Sequence, residues 1–117
     1  MALQIESERG TIVIQNDVIA KIAGMAATRC YGVVGMAGKK NAAGIVSLLF
    51  GDNITKGVSI TTENERVVLD LYIVVEYGVN ISVIAQSIIN NVKYSIENMS
   101  GFKVGRINVH VESARVD

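Results

Sequence analysis

The feature that most restricts the fold of this chain is an alternating run between residues 66 and 77. Apolar side chains occupy every odd position of the run. Because successive side chains of a β-strand point to opposite faces, this period of two predicts a strand with one continuously apolar face. Such a face needs a hydrophobic layer packed against it. Its members are Val67, Leu69, Leu71, Ile73, Val75 and Tyr77.

The opposite face of this strand is half apolar. Val68, Tyr72 and Val74 alternate there with charged residues. An apolar group of this size is not covered well by water alone. We therefore expect the three residues to form an interface with a protein partner or with a second copy of the chain.

A second apolar group lies in a segment whose spacing predicts a short helix over residues 42–50. Two interpretations are open for this group. It caps the same core as the longer helices, which we favour, or it docks on a partner or a membrane surface. The residues concerned are Ile45, Leu48, Leu49 and Phe50.

Strand signals occur in three further places. Residues 3–14 alternate in two short runs, and residues 103–112 alternate in one. Residues 56–62 precede the long strand, and the polar residues 63–65 between them predict a hairpin turn.

Two helices are predicted from their apolar spacing and their ends. Asn16 is placed to cap a helix that stops near Gly32, and Asn80 to cap a longer helix that stops at Gly101. Residues 32–53 read as irregular apart from the short helix. The order strand, helix, two hairpin strands, helix, strand predicts an α+β fold in one domain, residues 1–117. We expect a two-layer sandwich of one mostly antiparallel sheet with two main helices on one face.

Composition narrows the class of protein. The 117 residues carry 11 basic and 11 acidic side chains, so the net charge of zero argues against nucleic-acid binding by bulk electrostatics. Half of the residues are hydrophobic and 19% are charged, which favours association with proteins, including copies of the same chain. No apolar run is long enough to span a bilayer, and the first residues do not resemble a signal peptide. We expect a cytoplasmic protein.

The sequence offers no set of residues for catalysis or for a metal. His110 is the only histidine and Cys30 the only cysteine. We interpret His110 as a solvated surface residue and Cys30 as a small buried packing residue, so we expect no enzyme activity, no metal and no cofactor.

The glycine-rich stretch supports one alternative function. Gly35 and Gly38 form a Gly-x-x-Gly pattern followed by Lys39 and Lys40, and KH modules clamp a nucleotide backbone with such a loop. The residues between the glycines are apolar, so we favour a tight connection permitted by glycine over a KH-like nucleic-acid contact.

Several stretches together resemble the alkaline shock protein family of Gram-positive bacteria, and they look most like its short YloU-like branch. The resemblance covers nearly the whole chain, and its motifs are specific as a set. They are Gly10-Thr-Ile-Val-Ile, Cys30-Tyr-Gly-Val-Val-Gly-Met36, Val68-Leu-Asp-Leu-Tyr-Ile-Val-Val-Glu-Tyr-Gly78, Asn91-Val-Lys-Tyr94, Met99-Ser-Gly-Phe102 and Ile107-Asn-Val-His-Val111.

The resemblance implies a non-enzymatic protein of the envelope stress response and of cell-wall homeostasis. It further implies a self-associating cytoplasmic scaffold or adaptor that reaches the membrane through an anchored partner. A neighbouring kinase-type enzyme is a second candidate partner. The matched residues are turn glycines and core positions, so the resemblance implies no catalytic residue.

Overall fold

The computed structural model describes residues 2–116. These residues form seven strands, two α-helices and a 3₁₀-helix at Gly51–Gly57. The strands are β1 (Ala2–Ser7), β2 (Gly10–Gln15), β3 (Val33–Lys40), β4 (Val46–Leu49), β5 (Val58–Glu63), β6 (Arg66–Glu76) and β7 (Val104–Arg115). The helices are α1 (Asn16–Thr28) and α2 (Ile81–Ser100).

β6 is the central strand of a five-stranded sheet. On one side, the first half of β6 pairs antiparallel with β5 and its second half pairs antiparallel with β3. β3 in turn pairs antiparallel with β4 on its other side. On the other side β6 pairs with β7, and this pairing is parallel. β1 and β2 form a separate antiparallel hairpin. The predicted α+β fold with a mostly antiparallel sheet and two main helices is confirmed.

The odd-numbered face of β6 forms the core, as its alternation predicts. Its residues from Val67 to Val75 are at most 2% exposed, and they pack with α1 and α2 in one cluster. Tyr77 was expected on this face but is 74% exposed, because β6 ends at Glu76. On α2 the buried stripe consists of Ile84, Ile88, Val92 and Ile96.

The predicted ends of α2 are confirmed. Asn80 Oδ1 accepts a hydrogen bond from the backbone N–H of Val83 at 3.3 Å. Gly101 closes the helix in the left-handed region, with φ of +82°. The prediction that Asn16 caps α1 is wrong: Gln15 precedes the helix, and no side chain caps it.

The prediction of an irregular region with a helix at 42–50 is also wrong. Residues 33–49 form the β3–β4 hairpin instead. The Asn41 side chain decides this locally, because its Oδ1 accepts from the N–H groups of Ala43 and Ile45 and so closes a turn. Such a side-chain bond competes with helix formation.

Candidate functional site

The face of the sheet that points away from the helices, here called the open face, is partly covered by the chain itself. Val74 is fully buried in a small cluster with Ala37 and Val46, which the β3–β4 hairpin lays over it. Val68 is only 5% exposed. The expectation that Val68 and Val74 offer a surface to a partner is therefore wrong, and Tyr72 is half-buried beside them.

The 45–50 segment is divided between the two sides of the sheet. Leu48 packs against the small cluster on the open face, and Leu49 packs against the main core. Ile45 and Phe50 are 61% and 72% exposed. The interpretation that this segment caps the core therefore holds for Leu49, whereas Phe50 remains available on the surface.

A polar cluster occupies the middle of the open face. Asp70 Oδ1 accepts a hydrogen bond from Asn108 Nδ2 at 3.1 Å and lies 2.9 Å from His110 Nε2. Since an ionised carboxylate only accepts, Nε2 carries the shared hydrogen. The His110 ring stacks on Tyr72, with centroids 4.5 Å apart and an interplanar angle of 12°.

The electrostatics of this cluster favour the ionised carboxylate. The hydrogen bond from His110 holds the pKa of Asp70 below its usual range; desolvation opposes this shift and the hydrogen bond from Asn108 supports it. Sequence reasoning missed the cluster because only the parallel register of β6 and β7 brings these residues together. The cluster links β6 to β7 through side-chain hydrogen bonds, in addition to their backbone pairing.

No catalytic set emerges around the cluster in the described residues. Cys30 is buried on the helix side of the sheet, as expected, where it accepts from Asn91 Nδ2 at 3.2 Å. His110 lies on the open face, so the two nucleophile-type residues are separated by the sheet. Within residues 2–116, no group of three metal-ligating side chains converges.

The structure does not place Gly35 and Gly38 in a loop of the KH type. Gly35 and Gly38 lie inside strand β3 rather than in a loop between helices. A Cβ on Gly38 would stand 2.3 Å from Ser47 Oγ on β4, so the Ser47 hydroxyl would have to move if a larger residue stood there. Lys39 and Lys40 are exposed at the end of the strand.

An apolar groove of about 320 Å³ runs between the outer sides of α1 and α2. Three of its apolar side chains are well exposed: Val18 at 50%, Met25 at 40% and Met99 at 72%. The small residues Ala26 and Ser95 also line the groove, and small side chains between helices leave such a depression. The remaining lining residues are Lys21, Ile22 and Arg29.

The groove was not predicted, because its residues lie on two segments far apart in sequence. Met99 continues the i+3 and i+4 apolar spacing of α2, which is typical of a core position, yet it is largely exposed. The two charged lining residues are both cationic. Lys21 forms an exposed ion pair with Asp52 at 3.4 Å.

The family model for the alkaline shock protein 23 family, described as having a cell envelope-related function, matches residues 4–116. The chain belongs to this family. One curated relative is the uncharacterized protein YloU of Bacillus subtilis, which is 38% identical to this chain. The match covers 99% of the chain and 98% of YloU. A stress response regulator gls24 homolog of Streptococcus pyogenes is 30% identical over 88% of the chain and 58% of its own length.

No solved structure matches the chain. No helix among residues 2–116 is both long enough and apolar enough to cross a membrane. The resemblance of the sequence motifs to the alkaline shock family is thus confirmed over nearly the full length.

Proposed function

We propose that this protein is a non-enzymatic scaffold or adaptor of the envelope stress response and of cell-wall homeostasis. In this role it acts in the cytoplasm, associates with itself and reaches the membrane through a protein partner. The envelope-related description of the family and the stress-response names of the gls24 homologs support the setting.

The groove between α1 and α2 is the observation that carries the adaptor role. Covering the exposed side chains of Val18, Met25 and Met99 contributes roughly 1 kcal/mol each. Methionine side chains adapt to irregular partner surfaces, which suits a docking site. The cationic Lys21 and Arg29 favour an amphipathic partner helix with acidic residues beside its apolar face.

Photo-crosslinking in living cells tests the adaptor role. A photo-reactive amino acid at position 99 is expected to form a covalent adduct with another protein after illumination. Position 98 is the matched control, because Asn98 is exposed on the same helix but does not line the groove. No adduct from position 99, or equal adducts from both positions, would contradict the adaptor role.

Light scattering tests self-association separately. We expect a solution mass well above the 12.5 kDa of one chain at micromolar concentration. A strict monomer up to several hundred micromolar would remove self-association from the proposal and leave the partner-binding groove standing.

A further inference from the structure

Strand β7 has an open edge. It is 12 residues long, and among residues 2–116 its only strand pairing is with β6. Natural proteins protect long edge strands with charged residues, above all lysine, with prolines or with β-bulges. β7 contains neither lysine nor proline, but it carries Arg106, Glu112 and Arg115 and two register shifts against β6. Between these shifts, residues 106–111 form a regular open edge, which is a template for pairing with another strand.

The backbone groups at this edge follow from the pairing of β7 with β6. Val67 donates its backbone N–H to the carbonyl of Lys103, just before β7, at 3.0 Å, and Tyr77, just after β6, donates to the carbonyl of Arg115 at 2.8 Å. The odd-numbered residues of β6 therefore turn their backbone N–H and C=O groups toward β7. Each of these residues bonds to the residues before and after its partner, as in any parallel ladder. Leu71, for example, lies beside Val109, and ladder geometry therefore directs its hydrogen bonds to residues 108 and 110. The residues whose N–H and C=O groups turn outward are therefore Ile107, Val109 and Val111.

We propose that β7 pairs antiparallel with β7 of a second copy, centred on Val109, so that the two sheets join into one ten-stranded sheet. This inference rests on the self-association in the proposed function and names its surface. Val109 then lies opposite its own copy, and Ile107 lies opposite Val111. Each such pair exchanges two backbone hydrogen bonds, so the interface contains six.

Two charged residues of β7 favour this register, whereas the third, Arg115, lies opposite Lys103 of the other copy. Arg106 and Glu112 both lie on the open face, where they border cavities with Val68 and Tyr72 respectively. Centring on Val109 places Arg106 of each copy directly opposite Glu112 of the other, which makes two pairs of opposite charge. A shift of the centre to residue 108 or 110 loses both pairs, since Arg106 then faces His110 or Ala114.

The apolar side chains fit the same register. Val109 and Val111 are half-buried at the margin of the main core, on the helix side of the sheet. Pairing with the second copy covers these margins, so the two cores become continuous. The β6–β7 register shifts at Val67/Val68 and at Ile73/Val74, and the second shift leaves Glu112 without a register partner on β6. The outward-facing residues all fall within the regular part.

A charge-exchange experiment tests the interface. The variants Arg106→Glu and Glu112→Arg each replace both attractive pairs with like charges, so each is expected to weaken the dimer by roughly tenfold to hundredfold. Mixing the two variants restores opposite charges at both positions. The mixture is therefore expected to form a heterodimer, which analytical ultracentrifugation detects at a concentration where each variant alone is monomeric.

Glu63→Gln is the matched control, because Glu63 is the partner of Arg106 within the chain, at 3.7 Å, and lies outside β7. It is expected to leave the dimer unchanged. Heterodimer formation also shows that both variants are folded. If the wild type associates but both variants associate equally well, the β7 interface is overturned while self-association stands. If the charge exchange works but position 99 gives no adduct, the adaptor role fails and the β7 interface stands.

Discussion

Replacing Gly32 with Ala is expected to destabilise the protein through two separable effects. Gly32 adopts φ of +85°, where an L-residue costs about 1 kcal/mol. An added Cβ would also stand 2.2 Å from Ile84 Cδ1 and 3.2 Å from Ile84 Cγ1, an overlap that costs about 2 kcal/mol. Together we expect the free energy of unfolding to fall by about 3 kcal/mol, a large share of the roughly 5–15 kcal/mol typical of a domain.

The two effects are separated by a second substitution and by a control glycine. Ile84→Val removes the Cδ1 atom and by itself costs about 1 kcal/mol. In the double variant the overlap is reduced, so its destabilisation is expected to be about 1–2 kcal/mol smaller than the sum of the single changes. Gly78→Ala is the control: its φ is +89°, but no atom lies within 4 Å of the added Cβ.

Urea unfolding followed by far-ultraviolet circular dichroism measures all four variants. The reasoning predicts that Gly32→Ala loses about 2 kcal/mol more than Gly78→Ala. Equal losses at the two glycines, or strict additivity of Gly32→Ala and Ile84→Val, would show that Ile84 does not approach Gly32 as the structure describes.

Three further predictions concern the sheet and α2. The pKa of Asp70 is lowered in the folded state, chiefly by the hydrogen bond from His110, so the carboxylate stabilises the fold above the usual aspartate pKa of about 3.9. Asp70→Asn should therefore cost about 1 kcal/mol at pH 7, and urea titrations should show the difference shrinking as the pH falls below about 4. Asn80→Ala removes the cap on Val83 N–H and should cost about 1 kcal/mol in the same assay. Leu71→Ala opens a cavity at a fully buried site and should cost about 3 kcal/mol, and a loss below 1 kcal/mol would contradict its place in the core.

Sequence periodicity predicted the helices and strands that are long enough to show a clear apolar face. The alternation in β6 and the apolar stripe of α2 required only the periods of a strand and a helix. The same signals failed between residues 32 and 57, where apolar residues at helical spacing form a strand because the Asn41 side chain closes a turn. A short apolar run fits either period, so only its partners decide between them.

The candidate surfaces depended on contacts between distant segments. Val68 and Val74 read as exposed because their strand face is mixed, yet the chain covers them, Val74 beneath the β3–β4 hairpin. Conversely, Met99 reads as core, yet it is exposed in the groove that α2 forms with α1. Face polarity alone therefore did not predict which apolar residues remain on the surface.

The sequence by itself determined the central strand, the long helix, the caps of that helix and the family, because periodicity and motifs are properties of neighbouring residues. The tertiary structure decided which strands are neighbours and which distant side chains are in contact. The parallel pairing of β7 with β6 joins Asp70 to His110 across 40 residues and leaves one edge of β7 open. No local pattern encodes that pairing, because α2 separates β6 from β7 along the chain. Their register therefore depends on how α2 packs against the sheet.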